Sequence, residues 1–264
     1  MRAIVLGGGG SLGAYQIGVW RALKELEYKY DMVIGTSIGA VNGALMAQGL
    51  DKYEYAKELW DNINIEDITN DDIEMYMNFT DLFNTIKSVA DIIKVLKYNF
   101  KTLGADTTNF KEFLEDNLNV KAIYNSDIQF ALNTINITIP GIVKKTTKQI
   151  PREKLIDYII ASCSATPVLQ PHKIGMCKYI DGGYADNLAI DYARELGATE
   201  ILAVDLCYLK PTHQEEMNAK DVTYIFPSED LGSFFSFDKN RMLRNQDIGY
   251  NIKEYRSALK IKAI

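Results

Sequence analysis

The sequence has only two histidines, His172 and His213, in 264 residues. A catalytic arrangement that relies on a histidine base therefore has few candidates. Cysteine is also scarce: Cys163, Cys177 and Cys207 make an odd set without metal-ligand spacing. They read as free, mostly buried thiols in a reducing compartment. No Pro/Gly/Ser-rich linker marks a domain boundary. Positive charge is not in excess, since 29 Lys and Arg against 35 Asp and Glu give a net charge of −6. That balance argues against a general nucleic-acid binder, which needs a basic surface. The first apolar run meets glycine after about five residues, too short for a signal-peptide core or a membrane span. These absences point to a cytoplasmic protein whose membrane contact, if any, is peripheral. What is present is a 47% hydrophobic composition, enough for one large domain with a substantial core.

Residues 2–6 (RAIVL) read as a short buried strand ended by Gly7-Gly8-Gly9-Gly10. Ile17, Trp20, Leu23 and Leu26 then fall at helical spacing, residues 31–35 read as a second strand, and Ile38 to about Met46 as a second helix. Strand, glycine turn, helix, strand, turn, helix is the rhythm of a parallel α/β sheet. Residues 51–118 have an almost wholly helical pattern. Residues 127–139 read as a strand, Pro140-Gly141 as a turn and IVKKTTKQI as the return arm of a hairpin. Pro151 suits the first position of a helix through about Ser162. Short strands are expected at 178–180, 200–205 and 222–226, with helices over about 188–196 and 238–258.

Three constellations carry chemistry. The first, Gly35-Thr36-Ser37-Ile38-Gly39, is a G-x-S-x-G between a predicted strand and a predicted helix, the setting of a nucleophile elbow. The helix starting at Ile38 aims its free N–H groups and positive end at Ser37. The second is Gly8-Gly9-Gly10-Ser11-Leu12-Gly13, whose backbone amides can converge on an anion. Its amides serve either as an oxyanion hole or, read as G-x-G-x-x-G, as a cradle for a dinucleotide pyrophosphate. The dinucleotide reading expects an acidic residue at the far end of the second strand, whereas Asp31 begins that strand. The third is Asp181-Gly182-Gly183 after a short strand, where a carboxylate could take a proton from a serine hydroxyl. Alone it is an ordinary turn signal.

Neither histidine is excluded as a base. His213 satisfies the order Ser, acid, His of the α/β-hydrolases, yet several strands normally precede the elbow there, and here it follows the second. Both histidines read as loop residues.

With these three elements in order, the sequence resembles the patatin-like phospholipase family. Its members carry a Gly-Gly-Gly-x-Arg/Lys-Gly loop, a G-x-S-x-G elbow and an Asp-Gly-Gly/Ala, matched here by Gly8–Gly13, Gly35–Gly39 and Asp181–Gly183. GAYQIGVWRALKEL, ASCSATPVLQP and DGGYADNLAIDYARELGA add to the likeness. It is strong over about 1–50 and 155–206 and weak elsewhere. The resemblance implies a single three-layer α/β domain over 1–264, with a mostly parallel central sheet flanked by helices and a helical insert at about 51–118. It implies hydrolysis of carboxylic esters of acyl lipids through a Ser37–Asp181 dyad and an acyl-enzyme. The oxyanion would be held by Gly8, Gly9, Gly10, Ser11, Gly13 and Ile38. No metal and no organic cofactor are expected. Leu12 stands where the family usually has Arg or Lys, and the proline often found after Asn187 is missing. A nucleotide-binding protein, or a non-catalytic lipid-binding member of the same fold, are the alternatives.

Within the insert, Leu82, Ile86, Val89, Ile93, Leu96 and Phe100 form one helical stripe, with Lys87, Lys94, Lys97 and Lys101 largely off it. The stripe suits either an amphipathic lid on an anionic surface or packing on the domain core. Asp81 and Asp91 dilute the basic face and favour core packing.

Overall fold

The computed structural model describes residues 1–49, 51–71 and 104–259. The stripe at 82–100 lies outside them. In chain order the elements are β1 (Arg2–Leu6), α1 (Ala14–Glu25), β2 (Met32–Gly35), α2 (Ile38–Ala47), α3 (Tyr53–Asn62), α4 (Thr108–Asn117), α5 (Val120–Asn125), β3 (Gln129–Asn136), β4 (Gly141–Thr146), α6 (Leu155–Cys163), β5 (His172–Ile174), β6 (Cys177–Asp181), α7 (Ile190–Glu195), β7 (Glu200–Val204), β8 (Val222–Ile225), α8 (Lys239–Gly249) and α9 (Ile252–Ala258).

The eight strands form one mixed sheet in the order β5-β6-β3-β2-β1-β7-β8, with β4 joined to β3 off this path. The pairs β1–β2, β1–β7, β2–β3 and β7–β8 are parallel, so the centre matches the expected parallel sheet. The pairs of β3 with β4 and β6, and of β5 with β6, are antiparallel. Alternation along the strands divides the core into two layers. Ile4, Leu6 and Val33 face the larger cluster beside α1, α2, α3 and α6, while Ala3, Val5, Met32 and Ile34 face the other side beneath α7. Among the described residues, no helix is long and apolar enough to cross a membrane.

The segment β3 organises the site. Ala131 and Leu132 pair with β4 on one side and with Ile34 and Gly35 of β2 on the other. Thr134 to Asn136 also pair with β4, and on the remaining side with Tyr179 to Asp181 of β6. Strands β2 and β6 therefore share one edge of β3 in succession. They meet nearly end to end, with Gly35 level with Leu132 and Asp181 level with Thr134.

Several boundaries differ from the expectations. The first helix begins with a 3-10 turn at Gly10–Gly13. Pro151 caps a separate 3-10 turn at Arg152–Lys154, one turn before α6. The predicted helix over 238–258 breaks between α8 and α9 at Tyr250 and Asn251, where the Asn251 side chain accepts the Glu254 N–H and starts a new helix. His172 opens β5 instead of lying in a loop. The three cysteines are free as expected, but only Cys163 is fully buried.

Glycine is required where α2 crosses β1. A Cβ on Gly39 would lie 2.3 Å from the Leu6 carbonyl oxygen and 2.8 Å from that of Gly7. Neither backbone atom can retreat without distorting the sheet. Gly39→Ala is expected to lower unfolding free energy by about 3 kcal/mol, the upper range of overpacking costs. Urea titration of both proteins measures the difference, and an unchanged midpoint would show that the contact is soft.

Candidate active site

Ser37 caps α2 with φ 55° and ψ −129°, a conformation that favours glycine and that a serine adopts only under constraint. Three bonds hold it there. Its own N–H donates to the buried Ser162 Oγ of α6 at 2.9 Å. The preceding Thr36 donates its hydroxyl to Asn133 Oδ1 at 2.8 Å, and the Ala40 N–H returns to the Ser37 carbonyl at 2.7 Å. The chain thereby turns sharply from the end of β2 into α2 at Ser37.

The Ser37 side chain lies beside the carboxylate of Asp181, the last residue of β6, close enough to lower its pKa. The Gly183 N–H donates to Asp181 Oδ1 at 2.7 Å, and the Asp181 N–H is fixed on the Ser164 carbonyl at 2.9 Å. Burial pushes the Asp181 carboxyl up to about 6, against the opposing effect of Ser37 and of the Gly183 N–H. Burial first, and then the Asp181 charge, carry the neighbouring Cys163 thiol and Tyr184 phenol well above their usual ranges. Both stay neutral near pH 7.

The glycine loop lies directly against this pair. A Cβ on Gly8 would sit 2.7 Å from the Ser37 Cβ and 2.6 Å from Asn187 Oδ1, so only glycine lets the loop come this close. Asn187 clamps the Gly8 peptide from both ends: its Oδ1 accepts the Gly8 N–H at 3.1 Å and its Nδ2 donates to the Gly8 carbonyl at 3.2 Å. Beneath the loop, Gln16 donates to the Gly7 carbonyl at 2.8 Å and Asn42 to the Gly13 carbonyl at 3.0 Å. Trp60 in turn donates to Asn42 Oδ1 at 2.8 Å.

These contacts divide the residues singled out in the loop. The Gly8 N–H is taken by Asn187, and the Ser11 N–H donates to the Phe234 carbonyl at 2.7 Å. The Ser11 hydroxyl donates to the Ser233 carbonyl at 3.0 Å. Gly13 packs against Ile38 and Trp60. Ser11 and Gly8 therefore have no free amide to offer an oxyanion. Among the described residues, nothing accepts from the amides of Gly9, Gly10 and Ile38. Leu12, which stands where the resembled family usually has Arg or Lys, is buried in the larger core.

The histidines are engaged elsewhere. His172 Nε2 lies 3.2 Å from Asp157, and its pKa is lowered by burial, against the pull of that carboxylate. His213 Nδ1 lies 2.9 Å from Glu215 and its Nε2 3.6 Å from Asp186. The Asp186 contact above all raises His213 to about 9, against burial, so it is a cation at neutral pH. Asp31, at the start of the second strand, accepts the Arg2 N–H at 2.7 Å. That is the end of β2 remote from the glycine loop, and no ribose there could reach the loop's amides.

Asn133, Ser162, Gln16 and Asn42 carry no local sequence signal of their place in the site. Only the position of Asn187, six residues after Asp181, offered a local signal.

The family model for patatin-like phospholipase matches residues 4–194. Lysophospholipase NTE1 of Phaeosphaeria nodorum is 31% identical over 206 residues, which cover 77% of this chain and 12% of that protein. Patatin-like phospholipase domain-containing protein 7 of Rattus norvegicus is 28% identical over 212 residues, covering 77% of this chain and 13% of the relative. The chain thus spans only about an eighth of the length of these relatives. The crystal structure of VipD from Legionella pneumophila matches with a TM-score of 0.54 at 15% identity, over 98% of this chain and 66% of that one. At that identity the likeness is one of fold.

Proposed function

Because this chain belongs to the patatin-like phospholipase family, we propose that it hydrolyses carboxylic esters of acyl lipids, with Ser37 as nucleophile and Asp181 as general base. The observation that carries the reading is a strained serine set beside a buried carboxylate raised to about 6. Such a carboxylate is more basic than an ordinary aspartate and still mostly ionised at pH 7. In this reading residues 1–264 act as one acyl-hydrolase domain.

The steps follow from the geometry. Ser37 Oγ attacks the ester carbonyl carbon while its proton passes to Asp181. The carbonyl oxygen becomes an oxyanion facing the amides of Gly9, Gly10 and Ile38, aided by the N-terminal end of α2. As the intermediate collapses, the C–O bond to the alcohol breaks and Asp181 returns the proton to the leaving oxygen. A water then gives its proton to Asp181 and attacks the acyl-enzyme. The second collapse frees the fatty acid and restores the Ser37 hydroxyl. None of these steps assigns a role to a metal or an organic cofactor.

The reading is tested by hydrolysis across short and long acyl esters, phospholipids and lysophospholipids, together with fluorophosphonate labelling. Turnover of acyl esters with labelling of one serine is the expected result. Absence of both labelling and turnover would mean that the fold binds lipid without cleaving it.

A further inference from the structure

The geometry points to the carboxyl-terminal end of the sheet as a docking face for an anionic phospholipid bilayer, formed by three protruding tips around the candidate site. The proposal rests on the hydrolase reading for its biological purpose, but its evidence is separate.

The four most exposed large apolar side chains among the described residues are Met176 (93%), Leu209 (87%), Ile139 (70%) and Phe234 (55%). All stand at one end of the molecule. Strands β1, β2, β3, β7 and β8 run parallel, so their carboxyl ends face the same way as Ser37. Strand β3 continues four residues past Leu132, which is level with the end of β2, and so carries its turn about 13 Å further out. Ile139 sits on that turn. Strand β6 returns beside it, and the Lys178 N–H donates to Thr138 Oγ1 at 2.8 Å. The β5–β6 turn with Met176 therefore stands at the same height.

The third tip is built by a buried carboxylate. Asp205 follows β7 and collects the N–H groups of Leu206, Cys207 and Thr212, the Thr212 hydroxyl and the Tyr224 hydroxyl. These bonds close the loop and leave Tyr208, Leu209 and Lys210 at its apex. Phe234 is fixed in turn by the bond from the Ser11 N–H to its carbonyl. These apolar groups are held out in water by structure, an arrangement that favours a partner of low polarity.

Charge selects the partner. The segments 137–144, 172–180 and 206–213 contain no aspartate or glutamate, although acids outnumber bases in the chain. They carry Lys173, Lys178 and Lys210 at the tips, and Lys173 stands directly across the strand pair from Lys178, while Lys144 lies lower in β4 and pairs with Glu195. Apolar tips ringed by lysine match an acyl layer beneath anionic headgroups.

The test is co-sedimentation of the full chain with vesicles of equal parts phosphatidylcholine and phosphatidylglycerol, and with phosphatidylcholine alone. The parent should prefer the anionic vesicles. Replacing Ile139, Met176 and Leu209 together by Asp should weaken that binding at least about tenfold, from loss of the buried apolar area. Lys173→Glu with Lys210→Glu should weaken it in low salt and remove the preference between vesicles. Both variants should cleave a soluble short-chain ester within about twofold of the parent, as expected of surface substitutions. Unchanged vesicle binding by both variants, or no binding by the parent, overturns the docking face. A parent that binds vesicles yet cleaves no ester refutes the hydrolase reading and leaves the docking face standing.

Discussion

Ser37→Ala is expected to lower ester turnover by about 10⁴-fold or more, in line with loss of a nucleophile from a coupled catalytic unit, and to abolish fluorophosphonate labelling. The fold should survive, because the contacts that shape the elbow are made by the Ser37 main chain with Ser162 and Ala40 and by the Thr36 side chain with Asn133. Alanine keeps the positive φ of 55° and its strain. Glycine relieves it, so Ser37→Gly should be equally inactive yet about 1 kcal/mol more stable than Ser37→Ala. Residual hydrolysis above a tenth of the parent rate would move the nucleophile to another residue. Equal stability of the two variants would show that the elbow is not under tension.

Asp181→Asn carries the second large effect. Turnover should fall at least about 10²-fold, as when a general base is removed. Parent kcat/KM should rise with pH to a plateau, with an apparent pKa of about 6 set by the raised Asp181 carboxyl. Stability should move the other way. Because the folded pKa lies above the unfolded value, the native state favours the protonated acid. That contribution is fully present below pH 4 and is lost as pH rises through 6. At pH 8 the buried carboxylate therefore costs the parent about 3 kcal/mol, a shift of roughly two units at 1.36 kcal/mol each. Asparagine removes this cost while still accepting the Gly183 N–H. The variant should be the more stable protein at pH 8, with the advantage shrinking toward pH 4. Denaturant titrations at the two pH values read this directly, and parallel stability curves would contradict a buried carboxylate titrating near 6. Full activity in the variant would reassign the base.

The fold and the candidate site were legible to different degrees. The strand–glycine–helix rhythm of residues 2–47 is local, and β1, α1, β2 and α2 lie where periodicity and glycine placed them. That Ser37 and Asp181 lie side by side was foreshadowed only by the short turn motif around each. Which amides of the glycine loop are left free was only partly legible. That Ser11 gives its amide to Phe234, more than two hundred positions away, leaves no mark near residue 11. The same is true of Asn187, whose partner is Gly8, and of Ser162, whose partner is Ser37. A polar side chain that satisfies a distant backbone group looks like any other asparagine or serine along the chain. The helix over 238–258 failed for a local reason: the Asn251 cap was present but was read as interior.

The shared edge of β3 makes the pairing of hydroxyl and carboxylate a matter of parity. Side chains alternate across a strand, so sliding β6 by a single position against Thr134 would send the Asp181 side chain through to the opposite surface of the sheet. Inserting one residue between Tyr179 and Asp181 should therefore lower ester turnover more completely than lengthening the outer bend at 137–140, which lies past the last rung of the ladder. The crest can lengthen without disturbing this parity, whereas the rungs below it cannot.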